Sequence, residues 1–258
     1  MRALTVVLLL GLAGCSGTLP SQRGWGEDAT LEPGSERLRW AAERAARDPG
    51  TWIPALGAIL FAGSGADRRV SDWAREEEPV MTDHARVSDT LRDVTDAGMF
   101  ATALMTPSGP EEEVWENKSR GVGVEALAVL TTIGTTNLLK ETVRREQPNG
   151  GGHSSFVSNH ATEPFAHAAL IRRNTDHLNL HPNAEAAVDG GFYLLAAGSA
   201  WARVEMGLHY PSDQLAGAAI GNFIALFFHD AFLGLPPQGP GVGVAVREAP
   251  MLTLHFAW

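Results

Sequence analysis

Arg203-Val204-Glu205-Met206-Gly207-Leu208-His209-Tyr210-Pro211-Ser212-Asp213 is the stretch on which the reading of this chain turns. Pro211 suits the first position of a helix, where its missing N–H would have had no partner, and Asp213 then falls in the first turn. The positive end of the helix dipole favours the ionised form of that carboxylate. A carboxylate about one turn beyond a histidine can accept a hydrogen bond from one ring nitrogen, leaving the other neutral and aimed at an electrophile. His209 is therefore the candidate nucleophile and Asp213 its orienter. An isolated His/Asp pair is more often a helix cap than a catalyst; cations elsewhere in the chain reverse that preference.

Two upstream patches supply them. The first, Lys140-Glu141-Thr142-Val143-Arg144-Arg145-Glu146-Gln147-Pro148, is a cationic helix end running into a proline. The second, Ser154-Ser155-Phe156-Val157-Ser158-Asn159-His160, follows the loop Asn149-Gly150-Gly151-Gly152. Phosphoryl transfer requires several cations or backbone N–H groups converging on one anion, because charge spreads over three equatorial oxygens. Arg203 offers a planar fork of donors and Lys140 a mobile point charge. Ser158 is placed to cap a helix starting near His160, turning its hydroxyl and the first backbone N–H groups toward an anion. His160 titrates near neutrality and suits protonation of a leaving alkoxide.

These patches together resemble the superfamily of type 2 phosphatidic acid phosphatases, class A acid phosphatases and vanadium haloperoxidases, whose pattern is K-x6-R-P, P-S-G-H and S-R-x5-H-x3-D. The resemblance covers residues ~120 to 230, about one domain core. It implies an all-α, compact helical bundle of the acid phosphatase/haloperoxidase type. It also implies a phosphohistidine on His209, proton transfer by His160, and phosphate binding by Lys140, Ser158, Asn159, Arg203 and the residue at Gln147, with no metal or other cofactor. Two departures from the pattern bear on phosphate binding. Gln147 stands where the family has arginine, and Val157-Ser158-Asn159 precedes His160 where the family has P-S-G. Helix spacing makes Arg144 the better substitute for the missing guanidinium, and Asn159 tolerates left-handed backbone better than most residues. The alternatives to a phosphatase are an inactive or weakly active phosphate-binding envelope lipoprotein and a vanadium haloperoxidase.

Around this core, helical periodicity extends over 36–47, 52–61, 83–105, 122–145, 160–172, 184–201 and 211–233, with a Pro/Gly/acidic break at 106–113. None of these segments reads cleanly as a membrane span, since charged or amide side chains such as Glu125, Asn137, Asn222 and Asp230 interrupt them. After Pro236-Pro237 the period changes to two, through Val242, Val244 and Val246 and then Leu252, Leu254, Phe256 and Trp258, which predicts a C-terminal β-hairpin packed on the helical body.

The first residues read as export machinery. Arg2 and the apolar run 3–11 have the charge and length of a signal peptide, 1–14. Leu12-Ala13-Gly14-Cys15 resembles a lipobox, and Cys15 is the only cysteine of the 258-residue chain, so it is the lipidation candidate rather than half of a disulfide. Ser16 after it favours the outer membrane, on the periplasmic side. Residues 15–35 are expected to be a tether, 36–235 the phosphatase-like domain and 236–258 the tail. A formal net charge of −10 argues against nucleic acid as a partner. The expected partners are a phosphorylated small molecule or lipid and, through the anchor, a membrane. His153, His167, His177 and His181 lie near the second patch without zinc-site spacing, so no metal is expected.

Overall fold

The computed structural model describes residues 24–234 and, by backbone alone, 242–245 and 253–256. The signal peptide 1–14 and the Cys15 acceptor fall outside the described residues. The described chain is all-α, as expected, with helices α1 (Gly34–Arg47), α2 (Pro49–Ser64), α3 (Ala66–Glu77), α4 (His84–Met105), α5 (Val114–Val143), α6 (Asn159–Thr175), α7 (Pro182–Glu205) and α8 (Pro211–Phe228). A π-helical turn, His229–Leu233, continues α8. Strands β1 (Val242–Ala245) and β2 (Thr253–Phe256) pair antiparallel, Val242 opposite Phe256 and Val244 opposite Leu254. That register matches the period-two reading, and the bend between the strands lies outside the described residues.

α6 and α8 form the centre, with α4, α5 and α7 packed around α6, and α1, α2 and α5 around α8. Their contact is close because α8 presents glycines. A Cβ on Gly221 would lie 2.1 Å from the carbonyl oxygen of Thr162, and one on Gly217 would lie 2.9 Å from the Cβ of Ala161. Ala166, Ala169, Leu170 and Ile171 of α6 join Ala225 and Leu226 of α8 and Met99 of α4 in the core.

Three expectations are corrected here. α3 was not foreseen, because its buried positions are Asp67, Ser71 and Ala74. The helical spacing is there, but the inward residues are small or polar and leave no apolar stripe. Residues 24–33 belong to the body and not to a tether: the Trp25 ring is buried against Gly121, and the Trp25 backbone N–H donates to the Pro107 carbonyl at 2.9 Å. Thr30 likewise donates to the Phe232 carbonyl at 2.9 Å.

Composition also admits two helices long and apolar enough to cross a membrane, Val114–Val143 and Pro211–Leu233, where none was expected to qualify. The second packs as a core helix, with 56% of its most apolar stretch buried; in the first the share is 28%.

Candidate active site

The start of α8 is built around two carboxylates and one guanidinium. Tyr210 is the N-cap residue and Pro211 the first helical one. Asp213 sits in the first turn as anticipated and accepts the Tyr210 N–H at 2.9 Å, one half of a capping box. Its carboxylate also accepts from Arg145 at 2.5 Å and from the Ser155 hydroxyl at 2.5 Å. The other arm of Arg145 binds Asp67 of α3 at 2.8 Å. Asp67 in turn accepts the Ser212 N–H at 2.8 Å and the Ser212 hydroxyl. Arg145 further lies over the Tyr210 ring, 4.1 Å from its centroid. Burial raises the Asp213 carboxyl above its ordinary range, although the Ser155, Arg145 and Tyr210 bonds pull it down.

His209 precedes this cap and is buried. Its Nδ1 lies 2.5 Å from the backbone carbonyl of Ser155, so the expected bond to Asp213 is replaced. Asp213 acts one step away, binding the hydroxyl of the residue whose carbonyl holds the ring. A carbonyl oxygen can only accept, so Nδ1 carries the hydrogen and Nε2 of the neutral ring keeps its lone pair. Burial pushes the imidazole down to about 3, and the charges of Lys140, Arg203 and His160 push the same way. His209 is thus uncharged at neutral pH, with three candidate site residues near enough to act on it electrostatically.

His160 and Arg203 meet at α4. Nε2 of His160 is 2.8 Å from Asp89 Oδ1, and the same oxygen accepts from Arg203 Nη2 at 2.7 Å. Arg203 Nη2 also abuts His160 Nε2 directly, while Arg203 Nε donates to the Ser88 hydroxyl at 2.9 Å. Arg92, one turn on from Ser88 in α4, reaches to 3.5 Å from His160 Nε2. Burial, followed by Arg203 and Arg92, lowers His160 to about 4 against the opposing pull of Asp89.

Lys140 comes from the last turn of α5. It has no hydrogen bond or ion pair among the described residues, and burial lowers its pKa against the attraction of Glu163. A partly desolvated, unpaired ammonium is placed to receive an anion. Ser158 occupies the N-cap of α6, but its side chain makes no capping bond; its hydroxyl is buried without a partner. Asn159 opens α6 in ordinary helical conformation, not left-handed, and burial raises the neighbouring Glu163 carboxyl while the Asn159 amide pulls it down.

Gln147 and the two arginines depart furthest from expectation. The Gln147 amide turns toward the glycine loop, 3.4 Å from the Ser154 hydroxyl. Arg144 does not replace the missing guanidinium: α5 ends at Val143, and Arg144 takes the left-handed cap, φ 50°, with an exposed side chain. That turn sends Arg145 inward, where Asp67 and Asp213 occupy it. The residues that sequence reasoning missed, Asp67, Asp89, Arg92 and the Ser155 carbonyl, act through contacts between distant segments.

The arrangement presents a neutral imidazole nitrogen, an adjoining imidazole held between a carboxylate and a guanidinium, an unpaired ammonium and an orphan hydroxyl. These are the groups that an anion with a transferable centre requires. No curated protein and no solved structure matches the chain. The model of the PAP2 superfamily matches residues 122–234, a span that holds Lys140, Ser158, His160, Arg203, His209 and Asp213. That match supports the type 2 phosphatidic acid phosphatase superfamily for this stretch of the chain, and with it an activity of the phosphatase type.

Proposed function

We propose that the protein hydrolyses phosphate monoesters or lipid (di)phosphates through a phosphohistidine on His209, outside the cytoplasm, tethered by a lipid on Cys15 at the periplasmic side of the outer membrane. The observation that carries the reading is the Nδ1–H bond of His209 to the Ser155 carbonyl. It leaves Nε2 as a lone-pair nucleophile in a pocket of positive charge. Nε2 attacks phosphorus, the P–O bond to the alcohol breaks, and the departing oxygen takes a proton from His160. Water then attacks the phosphorus of phosphohistidine, with His160 accepting its proton, and the N–P bond breaks to release phosphate. Lys140 and Arg203 neutralise the equatorial oxygens, and the Ser158 hydroxyl donates to one of them.

With Gln147 turned away and Arg145 engaged by carboxylates, the cradle holds one guanidinium fewer than the superfamily pattern. Losing one such donor costs about 10²-fold in rate, so turnover is expected to be slow. The test is hydrolysis of p-nitrophenyl phosphate, phosphatidate and an isoprenyl diphosphate by the protein and by His209→Ala. The variant is expected to lose at least ~10³-fold in kcat. Equal rates in the two proteins reject the nucleophile, and vanadate binding without turnover of any substrate favours the phosphate-binding alternative.

A further inference from the structure

α2 carries no charged side chain from Pro49 to Ser64, and none of its residues is fully buried. Its inner side is small, with Gly50 against Asn222 and Gly57 against Leu215 of α8. Its outer side is one stripe: Trp52, Ile53, Leu56, Ile59 and Leu60 fall within about a third of the circumference at roughly 100° per residue. Ile59 is 69% and Leu60 61% exposed. Scattered surface hydrophobes are ordinary, but a continuous strip on a charge-free helix marks an interaction surface. Charge brackets the strip instead of interrupting it. Arg47 precedes α2 and, although 3.5 Å from Glu43, is largely open to solvent; Arg68 and Arg69 follow α2, both exposed. The acids next to the helix ends face inward, Asp48 onto Arg172 and Asp67 onto Arg145, while Glu43 and Asp72 on the flanking helices are about half exposed and pair with Arg47 and Arg75.

We infer that the outer face of α2 docks on an anionic bilayer surface, its apolar stripe entering the headgroup boundary while Arg47, Arg68 and Arg69 meet lipid phosphates. The charges select this occupant. A second copy packed through α2 about a two-fold axis would set Arg47 of one chain beside Arg68 and Arg69 of the other, a repulsive pairing. An anionic surface has no such conflict and attracts a local basic bracket even on a chain whose net charge is −10. The 16 residues of α2 are also too few to span a bilayer, which takes ~20, so the helix lies in the interface plane. α2 forms one wall of a groove of about 390 Å³ that reaches Arg145 and Ser212 beside the site. α5 exposes Leu127, Leu130 and Leu138 as well, but it contributes no residue to that groove.

The inference stands apart from the phosphatase reading and has its own test. The full-length chain with Cys15→Ser receives one new cysteine, Ile59→Cys, labelled with an environment-sensitive fluorophore. It is mixed with vesicles of phosphatidylglycerol and phosphatidylcholine. Arg86→Cys, at a site 82% exposed on α4, carries the control label. A blue shift at position 59 and none at 86, weakened by salt, is expected. Because the N-terminal segment could hold the chain on vesicles by itself, the position of the shift is the criterion. Adding Arg68→Ala and Arg69→Ala is expected to weaken affinity for the anionic vesicles roughly tenfold or more; unchanged affinity overturns the assignment to an anionic surface. No shift at 59, or equal shifts at both positions, overturns the docking face. A shift at 59 that grows with protein concentration in the absence of vesicles assigns the face to a second copy and overturns it too.

Discussion

The two ends of α6 carry the same residue types and use them in opposite ways. Near its C-terminus, Arg172 binds Asp48 at 2.7 Å and Arg173 binds Asp230 at 3.0 Å. Arg44 adds a contact to Asp230 at 3.6 Å, and Asp189 accepts from Thr175 at 2.7 Å. Burial works against the charge on Arg172, yet its pKa is raised, by Tyr193 and Asp48. At the N-terminal end, roughly 18 Å away by helix rise, burial and like charges instead lower Lys140, His160, Arg203 and His209. One end has matched its charges and holds helices together; the other keeps cations in excess, as an anion-binding site must.

Arg145 tests whether those roles separate, because it belongs to the site end yet is paired like the distal arginines. Arg145→Ala strips the partner from two buried carboxylates, Asp67 and Asp213. It is expected to cost about 3–5 kcal/mol in denaturant unfolding and to abolish turnover; retained activity would mean that the α8 cap does not set the position of His209. Arg173→Met exposes the contrast from the other side. About 3–5 kcal/mol of stability is expected to go as Asp230 loses its closest cation, while kcat measured below the new unfolding transition stays within about twofold.

A thermal scan against pH probes both ends together. His160, His167 and His177 are lowered to about 4 and His209 to about 3. Below the ordinary value of 6.5 the unfolded chain therefore binds protons that the native state refuses. Stability from these residues is present above that value, and Tm is expected to fall as pH drops from 6.5 toward 4. A Tm constant across this window would show these imidazoles to be better solvated than their burial suggests.

The smallest effect concerns Asp89, which raises His160. In the proposed mechanism His160 must be protonated to act as the acid, so kcat/KM is expected to decline with rising pH. In Asp89→Asn that decline should begin at lower pH; an unmoved limb would assign the titration to another group.

How much of this was legible in the sequence divides along the same line as the physics. Local spacing was readable wherever one helix start or one turn sets the geometry, as with Pro211 opening α8 and Asp213 closing its capping box. The partner of His209 was not, since the Ser155 carbonyl is a backbone group brought up by a separate loop. Nor were Asp67 and Asp89, whose contacts span more than a hundred residues for Asp89–Arg203 and are fixed by helix packing. The choice of Arg144 over Arg145 failed for an instructive reason. Counting i+4 from Lys140 assumes the helix continues, and a left-handed residue at the count's end reverses which side chain faces inward. α3 escaped notice because it packs through Asp67, Ser71 and Ala74, and hydrophobic periodicity cannot report a helix without large apolar residues on its inner face.

The close approach of α6 and α8 at Gly217 and Gly221 bears on more than packing. His160 rides on one of these helices, and His209 sits at the threshold of the other. The spacing between the proposed proton donor and the proposed nucleophile is therefore gauged by the thickness of a hydrogen atom on two glycines. Since a misplacement of ~1 Å can cost about 10²-fold in rate, the steric calibration of this site rests in part on two glycines of α8 that carry no functional group, Gly217 against Ala161 and Gly221 against Thr162.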